Sequence, residues 1–277
     1  MNDLSEHRDN ALQNKGRTCP CCGAKLHPAF YFCIVCATPY KPVEAITGKF
    51  SNFEAVTDPD LIKTRAPNVW PVFWSYTVVL FILLILGILM DAGDSAFAYM
   101  LVLGSILMSG VTIFFSCRFW PSLVVQFKRL GLFTPAMALS VTALFGLLTI
   151  NYIYHYILLQ TFTEFKHIPT HFEEAGLGAL SLLFFICIIP AIVEEIAFRG
   201  LIQHWLVRAI TPLKAMLLAS ALFTALHLTV LSAPYLFAVG MLLAWVKYKT
   251  GSLYPPMILH FVHNAVAVFI FPLIANF

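Results

Sequence analysis

From Val69 to Met90 the chain reads VWPVFWSYTVVLFILLILGILM, without one charged side chain. A helix needs roughly 20 apolar residues to cross a hydrocarbon core, and a helix is one of the few structures whose backbone polar groups are satisfied inside lipid. Asp91 and Asp94 mark the exit from this stretch. Outward from it, further uncharged runs extend from Ser95 to Cys117, from Pro135 to Gln160 and from Ala175 to Val193. An apolar stretch resumes at Ala215, interrupted by His227 and broken near Pro234, and accommodates two spans, the second short; Ser252 to Phe277 supplies the last. The 277 residues are 60% hydrophobic and only 11% charged, whereas soluble domains are about one-quarter charged. Lipid must therefore be the solvent for most of this surface. The expected fold is all-α, a polytopic transmembrane helix bundle of about seven spans over residues 69–277, with a small cysteine-bearing domain in front of it.

Charge orients the bundle. With seven spans and a cytoplasmic N-terminus, the loops at Arg118 to Arg129, Arg199 to Lys214 and Lys247 to Lys249 fall inside and Lys166 outside, as the positive-inside tendency requires. The expectation is an integral, multi-pass membrane protein with its N-terminus in the cytoplasm. Residues 1–18 are a polar tail lacking the apolar core of a signal peptide. The net charge of +3 comes from scattered Lys and Arg, which excludes the basic footprint of a nucleic-acid binder. No internal repeat is visible, against the inverted-repeat transporters.

Five of the seven cysteines lie between Cys19 and Cys36. Cys19-Pro20-Cys21-Cys22-Gly23 and Cys33-Ile34-Val35-Cys36 each offer two thiols two residues apart, with ten residues between the pairs. Four soft ligands at that spacing suit a tetrahedral structural zinc, in a zinc-ribbon-like module over 19–40 with Cys19, Cys22, Cys33 and Cys36 as ligands and Cys21 spare. Such thiolate sites belong to reducing compartments. A closed four-thiolate site has no open position for substrate, so the module is expected to serve folding and the docking of a protein partner. Residues 41–68, with Pro42, Pro59, Pro67 and mixed charge, read as a linker.

Ionisable groups inside a bundle are costly and therefore informative. Glu194-Glu195-Ile196-Ala197-Phe198-Arg199-Gly200 continues the fourth apolar run; Glu195 and Arg199 are i and i+4 neighbours and can pair. Glu194 projects elsewhere and is free to act as a general base. Phe223 and His227 lie one turn apart in an otherwise apolar segment, and His260 and Asn264 share a face of the last helix, with His263 pointing away. Each cluster alone reads as an ion pair or an interhelical hydrogen bond. Together they supply a base, an imidazole and two oxyanion donors. Two histidines and a glutamate also match a catalytic zinc set, ranked lower because there is no HExxH motif.

At these residues the chain resembles the CAAX protease and bacteriocin-processing membrane family (CPBP or Abi, the type II CAAX prenyl endopeptidases). The family's EExxxR, FxxxH and HxxxN motifs appear here in order as Glu194-Glu195 with Arg199, Phe223 with His227, and His260 with Asn264, across a core of about 175–270. The resemblance implies a glutamate-dependent intramembrane endopeptidase. Glu194 with His227 is expected to activate water, and His260 with Asn264 to stabilise the oxyanion. Glu195, Arg199 and Phe223 are expected to position the site. The expected substrate is a membrane-associated protein or peptide, either a CAAX-type prenylated protein or a secreted, bacteriocin-like peptide, and catalysis requires no cofactor. The alternative is a non-catalytic membrane scaffold or peptide-immunity protein that keeps the same polar network, and a proton-coupled carrier is a third reading.

Overall fold

The computed structural model describes residues 70–89, 94–128, 130–161 and 168–272. The N-terminal tail, the cysteine module with Cys19, Cys22, Cys33 and Cys36, and the linker lie outside the described residues.

The described chain is helical throughout. Helix α1 (Trp70–Leu89) and helix α2 (Asp94–Arg118) are followed by a short α3 (Trp120–Val124) that closes with a 3-10 turn, Val125–Phe127. Helix α4 (Pro135–Thr161) and the short α5 (Ile168–Glu174) precede a long helical rod, α6, over 179–209. Helices α7 (Pro212–Ala225), α8 (Ala233–Thr250) and α9 (Tyr254–Ala265) complete the fold, α9 running on as a π-helical turn, Val266–Ile270.

Among the described residues, four helices are long and apolar enough to cross a bilayer, and Pro212–Ala225 and Tyr254–Ile270 are apolar but shorter. Four of the seven expected spans thus reach spanning length, and the chain is an integral membrane protein. The outer helices leave large apolar side chains such as Phe81, Ile88 and Phe114 exposed on the bundle surface, where lipid solvates them as well as protein would. The helices that carry the polar motifs are instead enclosed by their neighbours.

Helix α6 corrects the sequence-based boundaries. The segment from Arg199 toward Lys214 was expected to be a cytoplasmic loop, yet the helix continues to Ala209 and Arg199 is fully buried. The reason is local: an ion pair within the helix neutralises the guanidinium, so its charge does not force the chain out of the bundle. The rod is not uniform. Leu183–Ile188 and Glu195–Gln203 are π-helical, flanking an α-helical turn, Ile189–Glu194. Widened turns of this kind are frequent at functional sites.

Pro190 explains part of the first widening. It has no N–H to donate, and the residue before it, Ile189, reaches back to Phe184 O. The next carbonyls in that register are taken by side chains from other helices: Ser105 Oγ donates to Phe185 O at 2.9 Å, and Asn264 Nδ2 donates to Ile186 O at 3.0 Å. In lipid, freed backbone groups have to be satisfied by neighbouring helices in this way.

Close approach of α7 and α8 depends on Gly240. A Cβ there would lie 3.2 Å from Ser220 Cβ and 3.4 Å from a ring carbon of Phe223. Small residues let membrane helices meet at such distances. Gly240→Val is therefore expected to destabilise the bundle by about 1–3 kcal/mol, the usual cost of overpacking. Gly87→Ala, where a Cβ meets nothing within 4 Å, is expected to melt with the wild type. Thermal unfolding of the two variants in detergent checks the pair.

Candidate active site

The polar constellation assembles around one aromatic ring. Phe223, buried on α7, lies edge-on to Phe198 at 5.4 Å and to His260 at 5.9 Å between ring centroids, and meets His227 at 4.6 Å. The Arg199 guanidinium sits 4.5 Å from the same ring's centroid, within reach of a cation–π attraction. Residues from α6, α7 and α9 that are far apart in sequence therefore share one small volume.

Beside this ring is a fully buried ion pair. Arg199 Nη1 donates to Glu195 Oε1 at 2.7 Å, and Nη2 donates to Gly240 O on α8 at 3.2 Å. One helical turn further along, Gln203 Nε2 donates to Ala244 O at 2.8 Å, so the same two helix faces are stitched twice. His260 Nδ1 donates to Glu195 Oε1 at 2.9 Å, which makes that oxygen the acceptor of two side-chain donors. The other ring nitrogen, Nε2, lies 3.9 Å from Glu194 Oε2. That distance is beyond a direct hydrogen bond and suits one bridging water.

The two glutamates differ as their neighbours require. Glu195 has no exposure, whereas the Glu194 side chain is 25% exposed. Glu194 Oε2 and Glu195 Oε2 are both buried and accept no hydrogen bond from the described residues. Buried acceptors are costly when unmatched, so both oxygens face a position suited to a donor.

His227 lies elsewhere than expected along its helix. The α-helix ends at Ala225, and His227 occupies the turn that follows, just before Leu228 at φ 51°. Its Nδ1 donates to Phe223 O at 2.9 Å, satisfying one of the carbonyls a helix C-terminus leaves without a partner. Because a carbonyl only accepts, the proton of a neutral ring must sit on Nδ1. Nε2 then carries a lone pair and can accept a proton.

Asn264 follows His260 by one turn on α9, and its amide is engaged on both sides. Nδ2 donates to Ile186 O, and Oδ1 accepts from His263 Nδ1 at 2.8 Å. His263 does not point away, as the sequence suggested, but is buried and also bonds Tyr235 Oη through Nε2 at 2.8 Å. Tyr76 was likewise not singled out from the sequence. It is a buried residue of α1 whose hydroxyl hydrogen-bonds Thr112 on α2 and whose ring meets Phe198 edge-on at 6.0 Å. An isolated aromatic in an apolar run gives no signal; the partners that make these residues informative come from other helices.

The structure thus brings Glu194, Glu195, Arg199, Phe223, His227 and His260 together, with Asn264 on the same face of α9 but tied to the backbone of α6. Among the described residues, no three His, Cys, Asp or Glu side chains converge as a metal-ligand set.

Comparison with known proteins bears on the same region. Residues 176–266, which contain all three motifs, match the family model described as type II CAAX prenyl endopeptidase Rce1-like. The match supports the resemblance drawn from the motifs. The uncharacterized protein YpbD of Bacillus subtilis (strain 168) is 29% identical over 122 residues, covering 40% of this chain and 60% of that protein. No solved structure matches the chain.

Proposed function

We propose that the bundle hydrolyses a peptide bond of a membrane-associated substrate, with Glu194 as the base that activates water. The observation that carries this reading is the asymmetry of the carboxylate pair. Glu195 is buried and held by Arg199 and His260, while Glu194 is partly exposed and 3.9 Å from His260 Nε2.

The water oxygen bonds to the carbonyl carbon as its proton passes to Glu194, with the Nε2 lone pair of His227 as a second acceptor for that proton. Electrons of the C=O bond move onto oxygen. His260, held through Nδ1 by Glu195 and protonated at Nε2, aims an N–H at this charge. The remaining hydrogen on Asn264 Nδ2 is the second donor. Preorganised donors of this kind are worth about 3–4 kcal/mol each in acyl transfer. Collapse of the intermediate breaks the C–N bond, and the proton on Glu194 leaves with the amine.

The similarity of 176–266 to CAAX prenyl endopeptidases favours a prenylated C-terminal segment or a secreted, bacteriocin-like peptide as substrate. We place the N-terminus in the cytoplasm with seven spans, and a structural zinc on Cys19, Cys22, Cys33 and Cys36 in a module that docks a protein partner.

Mass spectrometry of membrane peptides from cells carrying the wild type or Glu194→Ala tests the reading. A peptide is expected that appears only with the wild type at equal protein levels. Identical peptide profiles, with biological effect following protein abundance, would instead assign the network to a non-catalytic scaffold.

A further inference from the structure

We propose that Tyr235 and His263 form a latch that fixes which end of the Asn264 amide faces the oxyanion, making both positioning residues of the hydrolytic site. The inference rests on the function proposed above for its catalytic consequence, but not for its geometry.

Ile186 O can only accept a hydrogen bond, so the Asn264 atom 3.0 Å from it must be the amide nitrogen. The amide oxygen is then turned toward His263 Nδ1, 2.8 Å away, and that nitrogen must carry a proton. In a neutral ring Nε2 is left as an acceptor, so the Tyr235 hydroxyl at 2.8 Å must donate. The three hydrogen bonds therefore have one polarity, running from Tyr235 on α8 through His263 and Asn264 on α9 to Ile186 on α6. The Tyr235 and His263 rings also stack, with centroids 5.6 Å apart and planes at 29°, which fixes the imidazole plane.

An asparagine amide turned over would present its oxygen to the reacting carbonyl and repel the developing charge. Two constraints prevent this. Ile186 O refuses an oxygen because both can only accept, and Pro190, four residues on, offers it no N–H in place of the Asn264 amide. His263 Nδ1–H refuses an amide nitrogen while the proton stays on Nδ1, an arrangement that Asn264 Oδ1 requires and the donating phenol of Tyr235 reinforces. Without the phenol, Nε2 loses its donor and the imidazole one of its two hydrogen bonds, so the ring is freer to turn away from Asn264 Oδ1. The latch then opens at its His263 end.

The test uses the full-length protein labelled with ¹⁵N-histidine in lipid nanodiscs, with the His263 signal assigned by its loss in His263→Gln. The wild-type His263 ring is expected to be protonated at Nδ1, and Tyr235→Phe to move the resonance of the unprotonated Nε2 as its hydrogen-bond donor is lost. A wild-type ring protonated at Nε2, or a ring unchanged by Tyr235→Phe, would overturn the latch. The catalytic consequence is read on a quenched fluorogenic peptide ending in a farnesylated CAAX sequence. Tyr235→Phe is expected to lower kcat about tenfold with KM within about twofold, a fraction of what losing an oxyanion donor costs. It is expected to add nothing in an Asn264→Ala background; an equal loss there would overturn the positioning role. If Glu194→Gln cleaves as fast as the wild type, the assignment of Glu194 as the base fails by itself, and the ¹⁵N measurement still decides the latch.

Discussion

Glu194→Gln is expected to slow peptide cleavage by about 10²- to 10⁴-fold, the range that a positioned general base contributes, without lowering the melting temperature. The amide is nearly isosteric with the carboxylate, and Glu194 makes no direct hydrogen bond through its buried Oε2, so the substitution breaks no hydrogen bond at that oxygen. Single-turnover rates in proteoliposomes, taken beside a thermal melt, separate chemistry from folding. Glu195→Gln gives a different pattern. It loses the charge that holds Arg199 and His260 and is expected to lower both the rate and the melting temperature. A Glu194→Gln variant within tenfold of the wild type, beside a Glu195→Gln variant that folds but is inactive, would move the base to Glu195 and reverse the roles of the pair.

The features visible in the sequence are those carried by spacing along one helix. Charge-free runs announced α1, α2 and α4, because lipid penalises any charge in a spanning helix. The i,i+4 relation of Glu195 and Arg199 appears as a 2.7 Å ion pair, and Phe223 and His227 meet one turn apart as expected. What the sequence left open lies between helices. His260 shares Glu195 with Arg199, a contact that depends on how far α9 slides along α6, which no local pattern encodes. The same holds for Tyr235, whose relation to His263 crosses from α8 to α9. The helix ends were misplaced near Arg199 and His227 in opposite directions. Arg199 was read as a boundary, whereas its pairing with Glu195 keeps it inside the helix; His227 was read as lying within a helix that ends at Ala225, two residues before it, and its ring returns to Phe223 O.

Arg199→Met is expected to destabilise the protein by about 3–5 kcal/mol, the cost of breaking a buried pair from one side. The side chain is fully buried and has three separate partners: Glu195 Oε1, Gly240 O and the face of Phe223. Methionine fills much of the volume but leaves Glu195 charged, with His260 as its one remaining side-chain partner among the described residues. Arg199→Lys is not a rescue, because a single ammonium cannot bond Glu195 and Gly240 through two separate amino groups while lying flat on an aromatic ring. The decisive comparison is the double variant Glu195→Gln/Arg199→Met. If the loss arises from the stranded carboxylate, removing its charge as well is expected to recover at least about half of the stability, since a buried pair is often replaceable as a unit. Thermal melts of the single and double variants in detergent supply the cycle. Additive losses would mean that Arg199 stabilises the bundle through its contacts with α8 and Phe223. In either outcome the double variant is expected not to cleave, because His260 has lost the carboxylate that holds its Nδ1 and fixes the direction of its Nε2.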